Sequence, residues 1–436
     1  MRSAALPSRL ILGASATNDH VQQMARSLYD ADRLAEYVTG AVDVWRNPMA
    51  RRVRRGIHQW LPRLDRQLAR RSIREVPDDR VRARWRWDLA RTVVRLAGAG
   101  PRLQDQLWER AELALDGYSA SRLGDPDIGG YLGVEFGALA SLTEARRLGK
   151  PGFVAFLSPH HRTRRRWVDP ECAAWPELQS ESDRDLAVLA EARDARRDRE
   201  GDMAEWIVTG STFTTRTLID GGFAATKILT VPLGGPTPVL RSALPQQRPP
   251  VATFMYAGSI AIHKGAHHLL EAWERLAPTR AELHFYGTPL LPTALLDRAR
   301  QGRAGASLVF HGLVSAAELR AAYLRASVLV LPTLADGFGQ VVTEALACGL
   351  PVITTTNAGA ADRIESGVSG FVVPPADVNA LAGAMHWCLT NPDLLFEMRD
   401  AALTAAGRWT WEDFRRSFSS QIGAAMGAER LERATA

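Results

Sequence analysis

The sequence predicts an α/β protein in which two doubly wound parallel sheets face each other across a cleft. At 436 residues the chain is too long for one ordinary core, and domains of about 100 to 200 residues give two or three units. Short apolar runs alternate with segments of helical periodicity, as in parallel sheets that helices cover on both faces. Residues 232–250 are rich in proline and glycine and lack apolar periodicity, which indicates a linker between two such units.

The first half of the chain opens as strand, helix, strand. The predicted strands are RLILGAS, AEYVTGAVDVW, YLGVEFGALA, GFVAFL, EWIVTGS and KILTVPL. The predicted helices are HVQQMARSLYDADRL, LQDQLWERAELAL, SLTEARRLG, a polar one from about 180 to 203, and FTTRTLIDGG. Because the first apolar run is too short for a signal peptide, we interpret it as a strand and expect a cytoplasmic protein.

The second half repeats the pattern. Its predicted strands are VATFMYAGS, AELHFYG, SLVFHG, SVLVLP, PVITTT and GFVVPP, and its predicted helices are GAHHLLEAWERL, PTALLDRAR, SAAELRAAYLRA, one opening near Gln340, and DVNALAGAMHWCL. The last amphipathic segment follows a sheet that is already complete, so we predict that it packs back on the first unit. The predicted domains are 1–235, with the returning helix 409–430, and 236–408.

Composition is that of a soluble globular protein, with 46% hydrophobic and 23% charged residues, and no apolar run reaches the roughly 18 residues of a membrane span. Cys172, Cys348 and Cys388 are far apart and form no CxxC pair. This spacing supports neither a disulfide framework nor a thiolate zinc site, and it favours cysteines that act as small hydrophobic residues.

The basic charge is concentrated in residues 46–86, which hold fourteen arginines and four acids and are flanked or interrupted by four tryptophans. Such a segment is typical of peripheral binding to an anionic membrane surface, capture of a phosphate-bearing acceptor, or contact with nucleic acid. A solvated helical face with buried tryptophans explains it equally well. We favour the membrane or the anionic acceptor and expect no nucleic acid partner.

Lysine is scarce, since three of the 54 basic residues are lysine: Lys150, Lys227 and Lys264. A retained lysine indicates a position that needs a compact ammonium rather than a planar guanidinium. Lys264 lies just before Gly265, between a predicted strand and a predicted helix. A cation at such a loop stabilises negative charge that develops on a departing diphosphate.

A second loop, ADGFG at residues 335–339, follows strand SVLVLP and precedes the helix that opens near Gln340 and stops at Gly349. Ligands of open parallel sheets bind outside the carboxyl ends of strands, so this loop should line the cleft. The glycines allow close approach of backbone amides, and the unpaired amides of Gly339, Gln340 and Val341 suit a diphosphate.

Two carboxylates flank this helix start. Asp336 lies in the loop, and Glu344 lies about one turn into the helix. Because a carboxylate accepts two hydrogen bonds from a vicinal diol, we assign Asp336 to sugar hydroxyls and Glu344 to a ribose.

These motifs resemble family 4 retaining glycosyltransferases of GT-B fold, which have two Rossmann-like domains. The resemblance is dense over residues 251–385 and weaker over residues 1–230. It rests on the motifs GSIAIHKG, FHGLVSAAELRAAY, PTLADGFGQVVTEALACGLPVI and NAGAADRIESGVSGFVVP.

The resemblance implies transfer of a sugar from a nucleoside diphosphate sugar to an acceptor hydroxyl with retention of anomeric configuration. No cofactor and no metal are required, and the acceptor is a carbohydrate, a lipid-linked molecule or a small molecule bound by the N-terminal domain. Cell-surface polysaccharide, glycolipid and glycosylated-metabolite synthesis are the expected settings. The protein is then cytoplasmic, at the inner face of the plasma membrane if it is peripheral.

Residue roles follow from the matched positions. The implied catalytic residues are Lys264, Asp336 and His161, and the implied donor-binding residues are Ser259, Lys264, His311, Asp336, Gly337, Phe338, Gly339, Gln340, Val341 and Glu344. His160 is the alternative to His161 as the histidine that ends an N-domain strand beside the donor sugar.

The sequence departs from the family at two of these positions. Ser259 stands where the family has a phosphate-binding arginine, and Asp336 stands where it has the longer glutamate. These departures keep a second hypothesis open, a nucleotide-sugar-binding protein with little or no transferase activity.

A metal site is not expected from the sequence. His263, His267 and His268 lie at helical spacing, but no nearby acid or cysteine completes a set of ligands, so we interpret them as solvated helix residues.

Overall fold

A computed structural model of the chain describes residues 9–15, 18–40, 58–59, 71–174 and 181–435, with backbone alone for 181–189 and 428–435. The described residues form two parallel sheets with helices packed on them, which confirms the predicted α/β fold class.

The first sheet has seven strands in the order β3-β2-β1-β4-β5-β6-β7. The strands are β1 (Leu10–Gly13), β2 (Leu34–Thr39), β3 (Val81–Ala83), β4 (Gly130–Val134), β5 (Gly152–Phe156), β6 (Trp206–Thr209) and β7 (Ile228–Thr230). The helices are α1 (Asp19–Asp30), α2 (Trp85–Leu96), α3 (Pro101–Arg122), α4 (Leu139–Arg147), α5 (His161–Ala174), α6 (Glu181–Met203) and α7 (Thr212–Asp220).

The second sheet has six strands in the order β10-β9-β8-β11-β12-β13. The strands are β8 (Ala252–Ala257), β9 (Ala281–Tyr286), β10 (Leu308–Gly312), β11 (Val328–Leu331), β12 (Val352–Thr355) and β13 (Gly370–Val373). The helices are α8 (Ala266–Leu276), α9 (Thr293–Gln301), α10 (Ala316–Arg325), α11 (Gln340–Ala347), α12 (Val378–Thr390), α13 (Pro392–Gly407) and α14 (Trp411–Thr435).

Each sheet reverses its strand order once, between β1 and β4 in the first and between β8 and β11 in the second. The central strands are short apolar runs with both faces covered, and every residue of β1 and β11 is buried. Loops that leave the carboxyl ends of strands on either side of a reversal diverge and leave a crevice. The fold therefore provides one ligand crevice on each sheet.

The chain passes between the sheets twice, and the two passages lie side by side. The amide of Gly235 donates to the carbonyl of Trp409 at 2.8 Å, and the amide of Trp411 donates to the carbonyl of Gly235 at 3.1 Å. Beyond this crossing, α14 packs on α1 of the first sheet, and the Ser27 hydroxyl donates to the carbonyl of Arg415 at 2.7 Å. The apolar face of α14 is buried there, with Phe418 fully enclosed. The division into an acceptor-binding and a donor-binding domain stays a prediction.

Four elements are absent from the sequence prediction: β3, α2, α5 and α13. The first two lie in or next to the basic segment, where charge hides the apolar periodicity. Helix α5 begins at His161 and carries a run of arginines that is typical of an exposed loop. The predicted strand YLGVEFGALA is shorter than expected, because β4 ends at Val134 and α4 begins at Leu139.

Most of the basic segment, residues 46–57 and 60–70, lies outside the described residues. In the part that is described, Arg71 pairs with the buried Asp88 at 2.7 Å, and Arg82 pairs with the buried Glu36 at 3.1 Å. Among the described helices, none combines the length and the apolar character that a membrane crossing requires.

Candidate active site

A pocket of about 180 Å³ lies at the strand-order reversal of the second sheet and is closed on its other side by the first sheet. Its walls are formed by His20, Leu157, Leu233, Ala257, Gly258, Lys264, Leu331, Asp336, Phe338, Gly339, Gln340 and Val341. The structure thus brings together the two loops that the sequence singled out.

Lys264 is positioned by a tight turn between β8 and α8. The next residue, Gly265, has a φ of 68°, and a Cβ there would lie 1.9 Å from the carbonyl oxygen of Pro332, so glycine alone fits. The amide of Leu334 also donates to the carbonyl of His263 at 2.9 Å. These contacts fix the Lys264 loop against the loop that follows β11.

The Lys264 ammonium forms an ion pair with the Asp336 carboxylate. Burial alone would raise the pKa of Asp336, but the ammonium and a hydrogen bond from the Phe338 amide outweigh burial and hold this pKa below its ordinary value. Asp336 is therefore an anion, and an incoming phosphate has to share Lys264 with it.

The ADGFG loop (residues 335–339) is docked on the first sheet. The carbonyl of Gly337 accepts hydrogen bonds from the hydroxyls of Ser211 at 2.7 Å and Thr214 at 3.1 Å. A Cβ on Gly337 would lie 1.9 Å from the carbonyl oxygen of Leu157. Glycine is required here for close approach of the two units rather than for a special φ angle.

Helix α11 begins at Gln340 and points its amino end into the pocket. Its first amides have no acceptor within the helix, and the dipole is positive at this end, which suits an anionic group. Glu344, one turn later, accepts a hydrogen bond from the Tyr323 hydroxyl at 3.0 Å. Burial raises the pKa of Glu344. The pocket walls named above do not include Glu344.

Three further predicted donor residues, Gly337, Ser259 and His311, are not among the described residues that line this pocket. Ser259 follows the pocket residue Gly258, and its carbonyl accepts from the Tyr256 hydroxyl at 2.6 Å. His311 is the penultimate residue of β10, and its ring stacks on Tyr286 with centroids 4.2 Å apart. Its Nε2 lies 3.0 Å from Nδ1 of His284.

The two N-domain histidines have different surroundings. His161 begins α5, and its Nε2 lies 3.0 Å from Asp198. His160 is 2% exposed and packs against Gly221. Burial, with the neighbouring His161, lowers the pKa of His160 to about 4, so it is neutral. Neither histidine is among the described residues that line the pocket, and the catalytic role of His161 stays a prediction.

His20 was missed by the sequence analysis. It lies at the start of α1, just after β1, and reaches the pocket from the first sheet. Burial lowers its pKa to about 4, so the ring is a neutral imidazole at physiological pH. Its position after the carboxyl end of a strand beside a reversal was the only available signal.

The expectation for His267 and His268 was wrong. Both are buried, at 8% and 7% exposure, and each Nε2 lies 3.1 Å from the carboxylate of Glu171. An acid therefore does join the pair. It comes from α5 of the first sheet, 96 residues away from His267 in sequence, so local spacing gave no sign of it.

A larger cavity, about 550 Å³, opens where β5 and β6 begin, at the opposite ends of the strands from the crevice. Two of the three lysines lie in its wall. The Lys150 ammonium donates to the carbonyls of Leu123 and Asp125, and the Lys227 ammonium donates to those of Gly201 and Asp202. These lysines secure chain turns, which explains their retention without a ligand.

Two facing parallel sheets, with a lysine loop and a glycine-rich loop at the second reversal, define the GT-B fold of glycosyltransferases. Sucrose-phosphate synthase from Thermosynechococcus elongatus superposes with a TM-score of 0.61 at 16% identity, covering 98% of this chain and 100% of that one. HepE from Anabaena, in complex with UDP, gives a TM-score of 0.59 at 14% identity, covering 95% and 99%.

Residues 251–391 match the family Glycosyl transferases group 1. Glycogen synthase from Mycobacterium tuberculosis is 33% identical over 143 residues, 32% of this chain and 34% of that protein. D-inositol 3-phosphate glycosyltransferase from Kribbella flavida is 36% identical over 90 residues, 21% of each chain. This chain thus spans about a third or less of the length of these curated relatives. The predicted resemblance is confirmed for the GT-B fold and for residues 251–391, whereas family 4, retention and the activity of the whole protein stay predictions.

Proposed function

We propose that this protein transfers a sugar from a nucleoside diphosphate sugar to an acceptor hydroxyl, with retention of anomeric configuration. The observation that carries the proposal is the meeting of Lys264, Asp336 and the amino end of α11 in one pocket between the two sheets. HepE, a structural neighbour, was solved with UDP and with UDP-glucose, which supports this class of donor here.

The chemistry assigned to the pocket is electrostatic. As the sugar acquires oxocarbenium character, negative charge grows on the departing diphosphate, and Lys264 and the first amides of α11 stabilise it. Asp336 accepts hydrogen bonds from sugar hydroxyls, and Glu344 accepts them from the ribose. A phosphate oxygen of the leaving group takes the acceptor proton. This scheme uses no metal.

The pocket has to enlarge before it can hold a complete donor. Its volume of about 180 Å³ is below the 300 to 1,000 Å³ that is usual for ligand sites. His20, Leu157 and Leu233 close the pocket from the first sheet. The hydrogen bonds of Ser211 and Thr214 to the carbonyl of Gly337 hold the two units together next to the pocket residues Asp336 and Phe338, so separation of this contact is the direct way to admit the donor.

A panel of UDP-, GDP- and ADP-sugars tests the proposal through the melting temperature of the full chain. A donor that binds the folded state raises stability by RT ln(1 + [L]/Kd), about 2.7 kcal/mol at a hundredfold excess over Kd. One nucleotide class should raise the melting temperature, and Lys264→Ala should reduce that shift. No shift with any of the donors would overturn the proposal.

A nucleotide-sugar-binding protein with little turnover is the second candidate. The observation that favours it is the ion pair between Lys264 and Asp336, together with Ser259 where a phosphate-binding arginine is expected. Donor-dependent stabilisation without transfer or donor hydrolysis, across carbohydrate, lipid-linked and small-molecule acceptors, would establish this function instead.

The proposal also covers the acceptor and the place in the cell where the reaction occurs. The acceptor is a carbohydrate, a lipid-linked molecule or a small molecule in cell-surface polysaccharide, glycolipid or glycosylated-metabolite synthesis. Residues 46–86 hold the protein at an anionic membrane surface on the cytoplasmic side, because their fourteen arginines outnumber their four acids. Co-sedimentation with liposomes should then rise with anionic lipid content, and binding that is indifferent to lipid charge would count against this part.

A further inference from the structure

Glu171, His267 and His268 form a buried group across the two sheets, which we term the interdomain triad. Both histidines open α8 of the second unit, and Glu171 lies on α5 of the first unit. The side chains of His267, His268 and Glu171 are 6%, 9% and 17% exposed. The three residues thus converge from separate parts of the chain on one point that solvent barely reaches.

The spacing of the triad is that of ligands around a small cation. The Nε2 atoms of His267 and His268 each lie 3.1 Å from the same carboxylate oxygen of Glu171, and the ligand atoms of all three residues are within 4.8 Å of one another. Two ligands in a tetrahedral site with metal distances of about 2.0 to 2.2 Å are about 3.3 Å apart. Small movements would place a Zn²⁺-sized ion among them.

The nitrogens and charges of the triad place a cation at Nε2 of each ring. Nε2 faces Glu171 and would bind the ion, and Nδ1 would then carry the imidazole proton. Among the described residues, Nδ1 of either ring is buried and has no hydrogen-bond partner, so it takes no part in the argument for the ion. The surrounding charge has the right sign, because Glu271 adds its field to that of Glu171 at His268.

A second cluster of possible metal ligands differs from the interdomain triad in its location and in the charges around it. His160, His161 and Asp198 also lie within ligand distance of one another, but all three belong to the first unit. The positive charges of Arg197 and Arg162 act on His160, and such charges repel a cation. This comparison favours the interdomain triad over the group at His161.

We propose that the interdomain triad binds a divalent transition-metal ion of the Zn²⁺ type and thereby fixes α5 to the start of α8. A set of two histidines and a glutamate matches the ligand preferences of this ion. Glu171 is the most exposed of the three and gives the ion access from solvent.

The position of the triad gives the ion a structural effect on the active site. Helix α5 packs against the turn Ile262–Lys264, and the two histidines follow Lys264 by three and four residues. Coordination across the interface therefore restrains the loop that carries Lys264 and favours the closed arrangement of the two sheets. The ion takes no part in the transfer reaction and binds without nucleotide sugar.

Titration of the full chain with Co²⁺, a spectroscopic substitute for Zn²⁺, tests the proposal. One equivalent should give the intense visible absorption of a four- or five-coordinate ion, and excess Zn²⁺ should abolish it. Glu171→Gln and His268→Gln should each weaken Co²⁺ binding by at least tenfold, since even groups that only orient ligands contribute 10- to 100-fold. Glutamine retains hydrogen-bonding capacity, so both variants should fold.

His311→Gln is the matched control, because it removes a histidine paired with another histidine away from the triad. His161→Gln distinguishes the second group. Absent Co²⁺ binding, binding that survives in Glu171→Gln, or binding lost in His161→Gln but not in His268→Gln would each overturn the proposal. Because no nucleotide sugar is present, failure here is separate from failure of the proposed transferase function.

Discussion

The two sheets have the same arrangement at their reversals but use their polar groups differently. In the second sheet, Lys264 and Asp336 line an open pocket beside the amino end of α11. In the first sheet, Glu135 is committed to structure: it pairs with Arg197 at 2.5 Å and accepts from the amides of Leu157 and Ser158. Those amides belong to the loop on which Gly337 docks.

This difference shows that the fold determines where a crevice lies, whereas the residues at the crevice determine its chemistry. The reversal of strand order creates a crevice on each sheet, whatever residues occupy it. In the described residues, the first sheet uses its buried carboxylates to hold a receiving surface, and the second sheet places an ion-paired lysine and a helix end at a pocket. The two crevices therefore differ in whether their polar groups are tied to the backbone or line a pocket.

The largest expected effect is that of removing Lys264, the cation that lines the pocket. Lys264→Ala should lower transferase turnover by about 10²- to 10³-fold, the loss seen when one preorganised stabiliser of developing charge is removed. Initial rates at saturating donor are the measurement. Lys227→Ala is the control from the first sheet, since this ammonium donates to the carbonyls of Gly201 and Asp202. Equal rates in Lys264→Ala and Lys227→Ala would refute the idea that a lysine of the second sheet acts in the reaction and a lysine of the first sheet only supports the fold.

The next effect concerns how the two sheets meet. In Gly337→Ala the new Cβ would collide with the carbonyl of Leu157, so the sheets could not close fully. Because a misplacement of about 1 Å can cost about 10²-fold in rate, turnover should fall on that scale while the melting temperature changes little. Gly383→Ala, where nothing lies within 4 Å of the new Cβ, is the matched control. Normal turnover in Gly337→Ala would show that this contact is dispensable.

The sequence was sufficient for features encoded locally. Apolar runs located the central strands, and the rule for carboxyl ends of parallel strands placed Lys264 near Asp336, as the structure does. The start of α11 at Gln340 followed from the glycines before it.

Structural features that depend on contacts between distant parts of the chain could not be predicted from the sequence. Glu171 lies on a helix that the sequence analysis missed, so its contact with His267 could not be foreseen. His20 begins the segment HVQQMARSL, which was predicted as a helix, and its place at the pocket is recognisable only once the two sheets face each other. The strand β3 follows a stretch so rich in arginine that composition masked its pairing with β2.

Replacement of Glu112, a buried acid of the first unit, should have a smaller effect, and it should change how the unfolding free energy depends on pH. Burial raises the pKa of Glu112 to about 7, although the Ser15 hydroxyl donates a hydrogen bond to it. The folded state then binds more protons than the unfolded state between about pH 4.5 and 7, so unfolding free energy falls as pH rises. Relative to Glu112→Gln, the wild type should lose about 1.5 kcal/mol between pH 5.5 and 7.

Urea unfolding at the two pH values measures this difference. Glu397→Gln, which changes an exposed glutamate on α13 in the same way, is the matched control substitution. A pH dependence that is the same in wild type and in Glu112→Gln would mean that Glu112 ionises normally, and the buried acids of the first sheet would then not differ from the exposed ones.

The smallest effect comes from two serines that cap helices in the same way. Ser211 accepts from the amide of Thr214 at the start of α7, and Ser315 accepts from the amide of Glu318 at the start of α10. Replacement of either by alanine should cost about 1 kcal/mol of unfolding free energy.

Ser211 differs from Ser315 in one respect, because the Ser211 hydroxyl also donates to the carbonyl of Gly337 across the interface. Turnover should therefore fall in Ser211→Ala, by about fivefold for a hydrogen bond of about 1 kcal/mol, and stay unchanged in Ser315→Ala. Unfolding curves and initial rates on the two variants check this, and equal rates would show that the interface bond does not contribute to catalysis.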